Sequence, residues 1–180
     1  METKTFGGKT IRIRKLVPAD IKNAKRFADY ENVLIEEGAY IHAYKKVTIA
    51  QEKEWLVARL KKQKRGGGIF LVGEYGGRVV ANARTEVYSG SWDHQAEFNI
   101  DIAQEVRGAG LGKYLTVRSI ELARTGIKPK PVRLILGTMA ENTAAIGLYE
   151  KSGFKKIAVI PGQHHYQGRF IDEVIMVYYL

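Results

Sequence analysis

The residues best suited to chemistry lie in the run VRGAGLGK, where glycines occupy positions 108, 110 and 112 between Arg107 and Lys113. A strand-like segment precedes this run and a helical pattern follows it. The first turn of a helix carries backbone N–H groups that have no intrahelical acceptor, and the helix dipole adds positive potential there. Glycines remove the Cβ atoms that would hold an anion at a distance. With Ala109 and Leu111 between the glycines and a cation at each side, the segment describes an anion cradle, and a diphosphate is its natural guest. Two common phosphate loops fail on spacing. A Walker A loop needs Ser or Thr after Gly-Lys, and here Tyr114 follows Lys113. A dinucleotide loop needs a third glycine where Lys113 stands, and it follows the first strand of a parallel sheet rather than a run of antiparallel strands.

A second informative stretch is NTAAIGLYEKSGF, residues 142–154. Asn142 and Tyr149 are seven apart. At about 3.6 residues per turn they share a helix face, with Ala145 and Ile146 between them. A small residue between two polar groups leaves a groove along that face. Asn142 also has the chemistry of a helix N-cap, and Tyr149 that of a core tyrosine with a wet hydroxyl.

Together the two stretches resemble the GNAT superfamily of acyl-CoA-dependent N-acetyltransferases. VRGAGLGKYL resembles the family's pyrophosphate loop, with Arg107, Gly110 and Gly112 in the Arg, first Gly and second Gly places. ENTAAIGLYEKSGF resembles its second signature, in which Asn opens a helix and Tyr follows seven residues later, before Gly-Phe. The resemblance covers residues 80–160 best, and the order of elements throughout. It implies acetyl-CoA as co-substrate and no metal. Backbone groups of Ile100 and Ile102 would pair with the pantetheine arm. Amides from Gly108 through Lys113 would hold the pyrophosphate. Asn142 and Ala145 would line the cofactor, and Tyr149 would sit near its sulfur.

Acetyl transfer from a thioester to an amine needs a neutral amine, donors for the developing oxyanion and a proton for the leaving thiolate. A tyrosine with a pKa near ~10 is protonated at neutral pH, so Tyr149 is the expected general acid. The family often places a carboxylate on the strand before the glycine loop as a base acting through water. Glu97 occupies such a strand, with Asp101 as its rival. Family members admit the acceptor between the first two helices and the last hairpin, here Val33 to Val47 and Pro161 to Gly168. In those segments Glu36 and Glu37 carry charge that suits an ammonium group. Tyr40, Tyr44, Tyr166 and His165 would form an aromatic rim. The acceptor would be a primary amine of a small molecule, a polyamine, a peptide N-terminus or a protein lysine. A non-catalytic acyl-CoA-binding module differs from this reading only at Tyr149 and the base.

These residues need a scaffold. The chain has 180 residues, no cysteine, and a formal net charge of +10 from 29 basic and 19 acidic side chains. The absence of cysteine fits a reducing compartment or a hot one where thiols are a liability, and the charge surplus biases an otherwise ordinary globular composition toward anionic partners. No disulfide framework or thiolate site can form, and the four histidines lack metal-ligand spacing. The basic runs RIRK and KKQKR would serve a nucleic-acid binder, but no RNA-recognition, KH or zinc-finger signature accompanies them. No apolar run reaches the ~20 residues of a membrane span, and the first residues lack a signal-peptide pattern, so a cytoplasmic protein is expected. A homodimer is compatible with the sequence.

Periodicity predicts strands at 10–17, 69–75, 78–88, 96–102, 132–138, 154–160 and 170–180, the last two joined by the polar loop PGQHHYQG. Helices are predicted from Ile21 to about Glu31, from Thr48 through KKQKR, from Leu111 to about Arg124 and from Asn142 to Ser152. Thr48 and Gln51 have capping-box chemistry, Gly76-Gly77 marks a hairpin, and Gly153-Phe154 a helix stop. The expectation is one α/β domain of the α+β type over residues 1–180. It has a mixed, mostly antiparallel twisted sheet of about seven strands and four helices.

Overall fold

A computed structural model describes residues 1–180 except His42 and Tyr44, so the expectation for Tyr44 lies outside the described residues. The strands are β1 Glu2–Phe6, β2 Lys9–Lys15, β3 Gly68–Tyr75, β4 Arg78–Val87, β5 Gln95–Ile102, β6 Arg133–Met139, β7 Lys155–Tyr166 and β8 Arg169–Tyr179. The helices are α1 Ala19–Lys22, α2 Ala24–Glu36, α3 Ile49–Lys64, α4 Leu111–Gly126 and α5 Thr143–Lys151. The strands form one sheet in the order β1-β2-β3-β4-β5-β6-β8-β7. Every neighbouring pair is antiparallel except β5 and β6. Among the described residues no helix is long and apolar enough to cross a membrane.

Local chemistry sets the boundaries. Thr48 accepts from the Gln51 amide, and the Gln51 side chain accepts from the Thr48 amide, which closes the capping box that starts α3. Gly66, at φ +79°, ends that helix, and Gly153, at φ +94°, ends α5. The expected first helix is two helices, parted at Asn23, and the second continues to Glu36. An additional strand, β1, pairs with β2 at the sheet's edge. Its side chains are mostly exposed, so no apolar alternation announces it. The expected loop PGQHHYQG is mostly strand: β7 runs through Pro161 and Gly162 to Tyr166, with shifts in its register against β8. An edge strand tolerates proline because its outer N–H groups need no ladder partner.

The core lies on both faces of the sheet, with Phe70, Phe98, Leu56, Leu111, Leu115 and Met176 almost fully enclosed. One charged cluster is enclosed with it. Arg14 grips Asp20 through both terminal nitrogens, at 2.8 and 2.7 Å. It also reaches Glu74 at 2.8 Å. Arg12 and Arg26 add contacts to Glu74 at 2.8 and 2.9 Å. The register shift between Gly73 and Glu74 places this carboxylate among three arginines. Two of the four residues of the basic run RIRK are therefore internally paired.

Burial by itself would raise the Glu74 carboxyl, but the hydrogen bonds and charge of Arg14, with those of Arg12 and Arg26, hold it near 2. A carboxyl held below its ordinary value contributes stability above about pH 4.5 that disappears as pH falls toward 2. Glu74→Gln leaves three guanidinium groups short of a partner and should cost about 3–5 kcal/mol in chemical denaturation at pH 7. The difference from the native chain should shrink across that acid window.

Candidate active site

The site is built where β5 and β6 part. These parallel strands pair only at Gln95–Arg133, Ala96–Leu134 and Glu97–Ile135. Beyond that point β5 runs to Ile102 and β6 to Met139 without meeting. The opening holds a cavity of about 600 Å³ that reaches both faces of the sheet. In the antiparallel ladder with β4, Tyr88–Gln95 and Val80–Ala103 are hydrogen-bonded pairs. Alternation then turns the N–H and C=O of Ile100 and Ile102 away from β4, toward the opening. Arg107 Nε takes the Ile102 carbonyl at 2.7 Å.

At the end of β5 the chain turns through a short 3₁₀ segment, Gln104–Val106, into the glycine run. Gly108 and Gly110 sit at φ +77° and +93°, a conformation that favours glycine. Gly110 caps α4 without a side-chain hydrogen bond. None of the N–H groups from Gly108 to Lys113 donates to a backbone carbonyl among the described residues. Gly112 serves a close approach: a Cβ there would lie 3.1 Å from Leu148 and 3.3 Å from Ile102. Arg107, Gly108, Gly110, Gly112 and Lys113 line the cavity, whereas Ala109 packs against Gly7 of the β1–β2 turn. Leu111 is buried in the core beneath.

Asn142, Ala145 and Tyr149 line the same cavity from α5. Asn142 Oδ1 accepts from the Ala145 amide at 3.2 Å, so it is an N-cap as well as a wall residue. Tyr149 is buried against Phe98 and Phe154. Burial first, then the charge of Asp101, pushes its hydroxyl well above the ordinary tyrosine range.

The opposite face of β5 lines the rest of the cavity through Asn99 and Asp101, with Arg84 of β4 beside them. Asp101 also accepts at its carbonyl from the Tyr30 hydroxyl, 2.6 Å away. Glu97 points to this face but lies outside the lining, close enough to Tyr88 to help raise that hydroxyl, whose burial is the larger cause. Glu36 pairs with Lys46 at 2.6 Å. Glu37 pairs with Arg107 at 2.8 Å and accepts from the Gln104 amide, so it fastens the end of α2 to the glycine loop instead of facing the entrance. Tyr40 lines the mouth and leans on Tyr166, ring centroids 5.8 Å apart. His165 points outward, against Phe170. Its neighbour His164, on the other side of the strand, lines the cavity and faces Glu173 at 3.4 Å. Sequence reasoning missed Arg84, Asn99, Gly137 and His164. Only Gly137 left a signal, since a glycine inside a strand marks close approach. A Cβ at that position would collide with the Glu173 carboxylate.

A model of the acetyltransferase (GNAT) domain matches residues 66–156. The chain belongs to the GNAT acetyltransferase family. A mycothiol acetyltransferase of Pseudarthrobacter chlorophenolicus is 34% identical over 93 residues, which are 49% of this chain and 28% of that protein. The chain thus spans about a quarter of the length of that curated relative. The crystal structure of a ribosomal-protein-alanine N-acetyltransferase from Brucella melitensis is 27% identical, with a TM-score of 0.78 over 94% of this chain and 99% of that one. YncA of Salmonella typhimurium, solved with its cofactor acetyl-CoA, is 24% identical with a TM-score of 0.78, covering 94% of both chains.

In this GNAT chain the acidic residues around the opening are electrostatically crowded. Burial raises the Glu31 carboxyl to about 7, helped by Asp101 and Glu52 and opposed by Arg84. A carboxyl raised on folding makes the folded chain hold an extra proton between about pH 4.5 and 7, so its contribution is lost as pH rises through that window. Glu31→Gln should therefore flatten the decline in stability between pH 5 and pH 8, measured by urea denaturation at each pH.

Proposed function

We propose that the chain transfers an acetyl group from acetyl-CoA to a primary amine by direct attack within a ternary complex. The observation that carries this reading is the opened sheet itself. Ile100 on the free strand edge, Gly108, Gly110, Gly112 and Lys113 of the glycine run, whose amides have no backbone acceptor among the described residues, and Tyr149 all line one cavity. Those groups fit a ligand with an amide-bearing arm, a diphosphate and a reactive end at Tyr149, as acetyl-CoA has. When bound, acetyl-CoA supplies the activated thioester. The co-substrate in the Salmonella relative supports the same choice.

The residues of the chain divide the remaining work. Ile100 offers its backbone to the extended arm and an N–H to the developing oxyanion. The loop amides, with Lys113, hold the negative charge of the diphosphate. Tyr149 stays protonated across the physiological range and donates to the sulfur as the carbon–sulfur bond breaks. The amine's lone pair forms the new carbon–nitrogen bond, and its proton leaves through water toward Asp101, the rival carboxylate, which lines the cavity where Glu97 does not.

Calorimetry with acetyl-CoA tests the cofactor half of this reading, and thiol release with amine panels tests the transfer. Tyr149→Phe should lower kcat by about 10²-fold while the acetyl-CoA Kd stays within a factor of about three. Unchanged turnover would remove Tyr149 from its role, and no acetyl-CoA binding would overturn the assignment.

A further inference from the structure

Two buried donors beside the cavity have no partner among the described residues: Arg84 Nε and Asn99 Nδ2 are enclosed and make no hydrogen bond there. The two residues stand directly opposite each other on β4 and β5 and line the same cavity. Burying such donors without an acceptor is costly, and strands place registered neighbours about 5 Å apart on one face. Both side chains line the cavity, and Arg84 brings a positive charge to it. Glu31 lies close enough for Arg84 to oppose the rise of its carboxyl, which burial lifts to about 7.

One pleat along β5 from Asn99, on the same face, Asp101 lines the cavity and acts on Tyr149. This side of the cavity thus presents a cation and a neutral amide at one end and a carboxylate at the end nearer Tyr149. Its mouth is narrowed from three sides. Tyr166 donates to the Ala39 carbonyl at 3.3 Å, and Tyr40 leans on Tyr166. Arg169 of the last hairpin holds Glu141, at the start of α5, through two contacts of 3.2 Å.

We propose that the acceptor is a compact amino-acid-type molecule, whose carboxylate is held by Arg84 and Asn99 while its amine lies by Asp101, facing the thioester. The proposal rests on the acetyl-transfer reading and names its substrate class. A protein amino terminus or lysine lacks a free carboxylate beside the reacting amine, and a polyamine carries no anion at all. Either would leave the two donors unmatched.

The test uses the full chain with acetyl-CoA and follows thiol release. The acceptors are the twenty standard L-amino acids, their C-terminal amides, spermidine and an alanine-starting heptapeptide. At least one free amino acid should turn over, with its amide at least about 30-fold poorer in kcat/KM. This is the scale of losing a charge-assisted hydrogen bond. Arg84→Ala should raise KM for the amino acid by about 10²-fold and narrow the gap to the amide. Arg84→Lys should recover part of the loss, and Asn99→Ala should act in the same direction as Arg84→Ala. Calorimetric acetyl-CoA affinity should be unchanged in all three variants, which also verifies that they fold. Three outcomes would overturn the proposal: equal use of amide and acid, preference for spermidine or the peptide, or acetyl-CoA binding with no turnover of any free amino acid. Failure of acetyl-CoA to bind the native chain would instead sink the transfer reading beneath it.

Discussion

A strand that leaves its neighbour must find other partners for its backbone. Here β5 separates from β6 after three paired residues, and the rest of the site follows from that separation. Polar backbone inside a protein is costly without a hydrogen-bond partner, so the opened edge calls for an extended guest with amide groups. The same opening joins the two faces of the sheet. A donor molecule can enter against α4 and α5 while an acceptor enters against β4 and α2. In the proposed reaction the two meet beside Tyr149, which lines the cavity.

The elements around the opening hold it in place by unlike means. The glycine loop is pinned from several sides: by Glu37 to Arg107 and Gln104, by Lys9 to the Glu105 carbonyl, and by Gly7 against Ala109. Arg107 is therefore a brace for the loop, with one nitrogen on Glu37 and another on Ile102, as much as a charge presented to an anion. The N-terminal half of the sheet is secured by the enclosed arginine cluster around Glu74. Neither brace depends on the apolar core, and both work through charge-assisted hydrogen bonds that fix direction as well as distance.

What the sequence made legible was local. The glycine run, the Thr48–Gln51 box, the Gly76-Gly77 hairpin and the Gly153 stop each depend on a few adjacent residues, and each appears where its chemistry predicts. The polar strand β1 escaped notice because an edge strand with exposed side chains has no apolar period. The extension of β7 was hidden by Pro161 and Gly162, which usually punctuate and here are accommodated by register shifts at an edge. Arg84 and Asn99 were out of reach for a different reason: nothing but the register of two strands makes them neighbours. His164 and His165 differ only in which face of β7 they occupy, and the irregular register of that strand kept their sequence positions from deciding it.

The three paired residues between β5 and β6 have a mechanical consequence. Among the described residues they are the ladder pairs that join the leaf from β1 to β5 to the leaf of β6, β8 and β7, with one further backbone bond from Val132 to the His94 carbonyl beside them. A molecule paired along the open edge of β5 would lie between those leaves, where β5 and β6 no longer meet, and would add contacts across the seam.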